Sequence, residues 1–341
     1  MLSYKERLFQ AAMGGSVDRP PCICPGGMMN AIEQDIMIKS GCTWPESHCD
    51  PAKMAELALS LYLAGGFENC GVPFCMTVEA EAMGAIVDMG DMDAEPHVVK
   101  SALNSTQDYA KLKNLDLNSG RVKTVLDAIK IIKQRDNTVP VIGNITGPIS
   151  AAGQLVDMAK LLIDMRKSPE TCHKFIDLVA KNLIKFAAAQ VKAGADVICI
   201  AEPSGTGEIL GAELFRNFTV KYLNKILESL SEFKDIIKIV HICGKLKSVY
   251  NELADLNCDV FSMDSAVDLK LLHEYMPKHR LMGNVSTHAI GTMSEAKVID
   301  LTQNAIARGA DIVAPACGLP VSTPLDNIRG MVKAVRQYNL N

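Results

Sequence analysis

Gly194-Ala-Asp-Val-Ile-Cys-Ile-Ala-Glu-Pro-Ser204 decides the fold. It follows the amphipathic pattern of Cys172–Ala193, so Gly194 ends a helix and Ala-Asp turns the chain back. Val197–Ile200 is then an apolar run of the kind buried on both faces of a parallel sheet. Glu, Pro and Ser stop it. The unit recurs: Gly309-Ala-Asp311 follows the helical pattern Ser294–Arg308 and precedes Ile312–Ala314. Val139–Gly143, Ile236–Val240, Val260–Met263 and Arg280–Gly283 read as further strands, and Pro21–Cys24 and Cys70–Phe74 add two early ones. Strands alternating with helices over 341 residues predict a (β/α)8 TIM barrel, one domain spanning 1–341. Residues 25–65 and 85–118 are less regular and are expected to form N-terminal decoration. A doubly wound open sheet is the other architecture, but the glycine-rich fingerprint after its first strand is missing.

Bulk properties narrow the function. Hydrophobic residues make up 48% of the chain, enough for a sizeable core, and net charge is −4 with no long Lys/Arg run, which argues against nucleic-acid binding. No apolar stretch reaches the roughly 18–20 residues of a membrane span, and the N-terminus carries no signal-like apolar region. A cytoplasmic protein without membrane insertion is expected. The 11 cysteines are scattered and odd in number, which suits reduced thiols better than a disulfide framework.

In a barrel, the C-terminal strand ends make one rim, and that rim carries the chemistry. His241-Ile-Cys243 closes one apolar run, and alternation along a strand lets both side chains face the same object. Cys317, in Ala314-Pro-Ala-Cys-Gly318, ends another. One imidazole and two thiolates are zinc's preferred donors and leave a tetrahedral ion one open position, where an exogenous thiol could become a nucleophile. Asp264, Glu202 and Glu81 are acids placed to support or complete such a site. Asn144 and Asn284, in Gly143-Asn-Ile-Thr-Gly-Pro148 and Gly283-Asn-Val-Ser286, are further candidates for supporting the site or binding substrate. Cys22-Ile-Cys24 reads as two core cysteines, Gly205-Thr-Gly207 as an ordinary turn, and His288 as a rim histidine.

These segments, with Val17-Asp-Arg-Pro-Pro21 and Pro73-Phe-Cys-Met-Thr-Val-Glu-Ala-Glu-Ala-Met-Gly84, carry a family likeness. The chain resembles the corrinoid-dependent methyltransferases related to methylcobalamin:coenzyme M methyltransferase, a branch of the uroporphyrinogen decarboxylase superfamily. The resemblance implies that His241, Cys243 and Cys317 bind zinc. It also implies that a methyl group passes from the methylcobalamin of a partner corrinoid protein to a small thiol such as coenzyme M. Transfer from a small methylated donor onto the corrinoid protein is the alternative it leaves open. The superfamily's decarboxylases carry an Arg-Gln-Ala-Gly-Arg stretch that grips substrate carboxylates. Here the matching place reads Cys22-Ile-Cys-Pro-Gly-Gly-Met-Met-Asn30, without arginine, so decarboxylation is not expected. No sulfonate-binding residue is matched, so coenzyme M rests on the family alone.

Overall fold

A computed structural model describes residues 2–338. Seven parallel strands form one sheet in the order β1 (Cys70–Val72), β4 (Val141–Thr146), β5 (Val197–Ala201), β6 (Ile237–Ile242), β7 (Val260–Met263), β8 (Arg280–Val285) and β9 (Ile312–Pro315). A separate antiparallel hairpin pairs β2 (Ile86–Asp88) with β3 (His97–Lys100). Every residue of β4, β5, β7 and β9 is buried, as sheets covered on both faces require. Helices between the strands supply the outer layer, and the whole is a (β/α)8 barrel.

The expected first strand, Pro21–Cys24, shrinks to one parallel bridge between Cys22 and Val313. Pro20 and Pro21 have no N–H to give, so a longer ladder is impossible there. Ile23 N–H donates to the Val313 carbonyl and Val313 N–H to that of Pro21, both at 2.9 Å. On the other side, one backbone bond, from Glu68 N–H to the Cys22 carbonyl at 2.9 Å, is supplemented by side chains. Asn69 accepts from Cys24 N–H at 2.9 Å and donates to its carbonyl at 2.8 Å, while the Glu68 carboxylate accepts from Cys22 N–H. The segment thereby closes the barrel between β9 and β1. It runs so close to β1 that a Cβ on Gly71 would lie 2.0 Å from the Pro25 carbonyl oxygen, so only glycine fits.

At the opposite ends of the strands one device repeats. Asp196, Asp259 and Asp311 each sit just before a strand and accept a backbone N–H from the preceding one: Val141 at 2.9 Å, Lys238 at 2.8 Å and Leu281 at 2.8 Å. The aspartate of Gly-Ala-Asp is therefore a register pin. Asp196 also pairs with Lys5 and Lys133, which keeps this buried carboxylate compensated. Gly194 ends the helix Pro169–Ala193 in the left-handed region, φ 116°, as the sequence indicates.

The decoration is smaller than expected. Helix Pro51–Leu63, inside the stretch 25–65, packs on β1 and on helix Gly120–Arg135, and so belongs to the barrel's outer layer. Its regularity is specified locally: Asp50 caps Ala52 and Lys53, and Pro51 opens the first turn. Hairpin β2–β3 and its flanks remain as the true excursion. Among the described residues no helix is long and apolar enough to cross a membrane.

Candidate metal centre

His241 is the fifth residue of β6, Cys243 follows the strand's end, and Cys317 lies two residues beyond β9. Their ligand atoms lie within 4.8 Å of one another at the barrel mouth. Tetrahedral coordination by one imidazole and two thiolates requires separations of about 3.5–3.8 Å, so small side-chain adjustments suffice. The three side chains, carried by strands three apart in the sheet order, meet because the sheet curls.

His241 is fully buried. Its Nδ1 lies 2.9 Å from the Ser262 hydroxyl, while its Nε2 has no hydrogen-bond partner among the described residues. The Ser262 hydroxyl in turn points its proton at the Met29 sulfur, 3.7 Å away. That leaves the serine oxygen to accept, which places the imidazole proton on Nδ1 and a bare lone pair on Nε2. A buried nitrogen lone pair close to two thiols and without a hydrogen-bond partner among the described residues is a donor suited to a cation. The sulfurs agree. The proximity of Cys243, helped by His241, pulls the Cys317 thiol below its usual range, while the Cys243 thiol is pushed up by Cys317 and by burial. A lone pair of cysteines this close loses one proton readily and the second only against strong repulsion. A soft divalent cation removes that conflict, so the residues present fit such an ion.

The other candidates take different places. Asp264 stands beside the cluster: its carboxylate accepts from Gly244 N–H at 3.4 Å, and its charge helps push the Cys243 thiol up. Asn284 holds the loop after β7, donating to the carbonyls of Asp264 and Val267 at 2.9 Å each. Glu202 does not join the cluster. Fully buried, it accepts from the N–H groups of Ile149, Ser150 and Gly205 and from the Ser150 hydroxyl, so it caps the helix Pro148–Leu155. Asn144 is a clip, donating to the carbonyls of Pro25 and Val72 at 2.7 and 3.0 Å and tying the closing segment to β1. Glu81 lies elsewhere, paired with the buried Arg121 at 2.5 Å. His288 is exposed and outside the cluster, and Cys22 and Cys24 are buried in the core.

Ser262 escaped the sequence reading. Its signal was available: Val260-Phe-Ser-Met263 is a buried strand with one polar residue, and parallel register sets that residue directly beside His241. Glu95 was missed too. It sits after the hairpin turn with burial, and then the nearby Cys317 charge, raising its carboxyl to about 7.

Fold and donors together define an enzyme barrel with a soft-metal donor set on its catalytic rim. The family model described as uroporphyrinogen decarboxylase (URO-D) matches residues 3–338, and the chain belongs to that family. Within it the similarity lies with methyltransferases. The chain is 32% identical over 338 residues to methylcobamide:CoM methyltransferase MtbA of Methanosarcina acetivorans, covering 98% of each. It is 33% identical over 349 residues to methylcobamide:CoM methyltransferase MtaA of Methanosarcina barkeri, again with 98% of each covered. Among solved structures, a methyltransferase from Methanosarcina mazei superposes with a TM-score of 0.92 at 30% identity, covering 99% of both chains.

Proposed function

We propose that the protein holds zinc through His241 Nε2 and the thiolates of Cys243 and Cys317, and transfers a methyl group from a corrinoid presented by a partner protein to a small thiol. Coenzyme M is the acceptor named for the relatives. The observation that carries the reading is the convergence of three donors on the barrel rim with the His241 Nε2 lone pair unpartnered.

Each residue has a task. Ser262 accepts the Nδ1 proton and fixes the imidazole as a neutral ligand. Cys243 and Cys317 bring two negative charges, which balance those of a dication. Zinc, when bound, would supply a Lewis acid that turns an incoming thiol (pKa ~8.5 free) into a thiolate at neutral pH. The acceptor's proton leaves to solvent. Its sulfur attacks the methyl carbon in line, a carbon–sulfur bond forms, and the electron pair of the old cobalt–carbon bond stays on cobalt as cob(I)alamin. The barrel supplies alignment, and the whole chain works as one domain.

The test is metal analysis and turnover on purified protein. About one zinc per chain is expected, lost when His241, Cys243 or Cys317 becomes Ala. Methylcobalamin with a panel of small thiols should give cob(I)alamin in the visible spectrum. Protein free of zinc, or inactive with every thiol, overturns the reading.

A further inference from the structure

A cavity of about 430 Å³ opens between the hairpin and helix Pro148–Leu155. It adjoins the donor cluster through Met28, which lines it and whose sulfur lies 3.8 Å from that of Cys243. A thiol with its sulfur at the cluster would leave its tail in this space, given the thiol-acceptor reading on which this inference rests.

One wall is backed by a buried cation. Thr77 lines the cavity and is itself buried, and behind it stands Arg121, only 5% exposed. The guanidinium divides its donors unevenly. Its Nε meets the Glu81 carboxylate at 2.5 Å, on the side of a second cavity where Glu81 is partly open to solvent. Its Nη1 and Nη2 donate to neutral groups, the Cys75 sulfur at 3.2 Å and the Thr77 hydroxyl at 2.9 Å; burial keeps the Cys75 thiol protonated. Thr77 Oγ1 thus accepts from a cation and keeps its own proton to give. The Cys75 sulfur, 3.5 Å away, competes for that proton only weakly. An anion in the cavity would take it in a bond strengthened by the charge behind.

The rest of the lining is compatible with an anion. His97, Ser101 and the Gln154 amide can each donate an N–H or O–H. Of the acids, Asp157 at the exposed mouth is committed to capping Lys160 N–H at 3.1 Å. Burial raises the Glu95 carboxyl to about 7, and a neighbouring anion would hold it neutral, as a donor.

We propose that the cavity seats an anionic tail on the acceptor thiol, and that Thr77, charged from behind by Arg121, selects this tail over an uncharged one. Arg121 is a positioning residue. It does not meet the tail, and acts by holding the Thr77 oxygen so that the hydroxyl proton points onward.

Two thiols that differ only in the tail test this, 2-mercaptoethanesulfonate and 2-mercaptoethanol. Calorimetric titration into zinc-loaded wild type should show the sulfonate binding about tenfold or more tighter than the alcohol. Thr77→Val, close in shape but without the hydroxyl, should bring the two to within about threefold, and Thr77→Ser should restore the wild-type ratio. Arg121→Met should lower the ratio too, where an arginine that only props the fold would weaken both thiols alike. A wild-type structure with the sulfonate decides even if a variant fails to fold. There a tail oxygen is expected about 2.8 Å from Thr77 Oγ1, with Arg121 still bonded behind it. Alcohol binding as tight as the sulfonate in wild type overturns the proposal. So does a preference that survives in Thr77→Val, equal weakening of both thiols in Arg121→Met, or a sulfonate seated away from Thr77. Turnover with the same thiols is read separately: its absence with both refutes methyl transfer to a thiol, while the binding ratio still decides the tail.

Discussion

Ser262→Ala isolates one hydrogen bond and predicts its cost at the metal. In the wild type, Ser262 Oγ and His241 Nδ1 are 2.9 Å apart at positions without solvent exposure. Removing the hydroxyl leaves two options. The Nδ1 proton stays, buried and unpaired, at about 1–3 kcal/mol. Otherwise the proton moves to Nε2, which then offers a hydrogen, not a lone pair, to the sulfurs, and metal binding must reverse that shift. Either way the penalty falls partly on metal affinity, by the roughly 10–100-fold typical of lost ligand-supporting bonds, or about 1.4–2.7 kcal/mol. Competition against a chromophoric zinc chelator at pH 7 reads the difference, with His241→Ala as the reference for losing the ligand itself. Zinc affinity in Ser262→Ala within about twofold of wild type would refute the assignment of Ser262 as the group that orients His241.

Other expectations concern the scaffold. Glu202→Gln leaves one helix N–H facing an amide NH2 at a buried site, so stability should fall by about 1–3 kcal/mol, read as a melting temperature lower by ~1–4 °C. Zinc content should stay at that of wild type, because the Glu202 carboxylate caps a helix and bonds none of the three donor side chains. His48, packed between the rings of Trp44 and Phe74, is held neutral: burial first, then the Arg121 charge, lower its pKa from 6.5 to about 3. The unfolded chain then binds a proton that the folded one refuses. Stability is therefore complete above pH 6.5 and drains away as pH falls toward 3. His48→Leu should remove that drain, worth at most roughly 4–5 kcal/mol, and equal acid sensitivity in denaturation curves of the two proteins would contradict it.

The barrel was legible because its strands are buried on both faces and so read as apolar runs, each separated from the next by a helical pattern. The first strand misled because the residues that would form its ladder include prolines, and the barrel there is closed by the side chains of Glu68 and Asn69, which no periodicity reveals. The donor trio was legible from alternation on one strand and placement at the end of another. Its supports were not. Ser262 depends on the register of β6 against β7, a relation between segments about twenty residues apart. Glu202 and Asn144 stand at rim positions just as a ligand would, yet their hydrogen bonds are spent on a helix start and on the closing segment. Glu95 lies in the irregular excursion, where sequence gives least guidance.

X-ray absorption at the zinc edge, recorded before and after adding a small thiol, bears most directly on the matter. Two sulfurs and one nitrogen from the chain with one light atom in the remaining position, changing to three sulfurs and one nitrogen with thiol, is the outcome expected. A shell already complete with four protein ligands, or one that gains no sulfur, would contradict it.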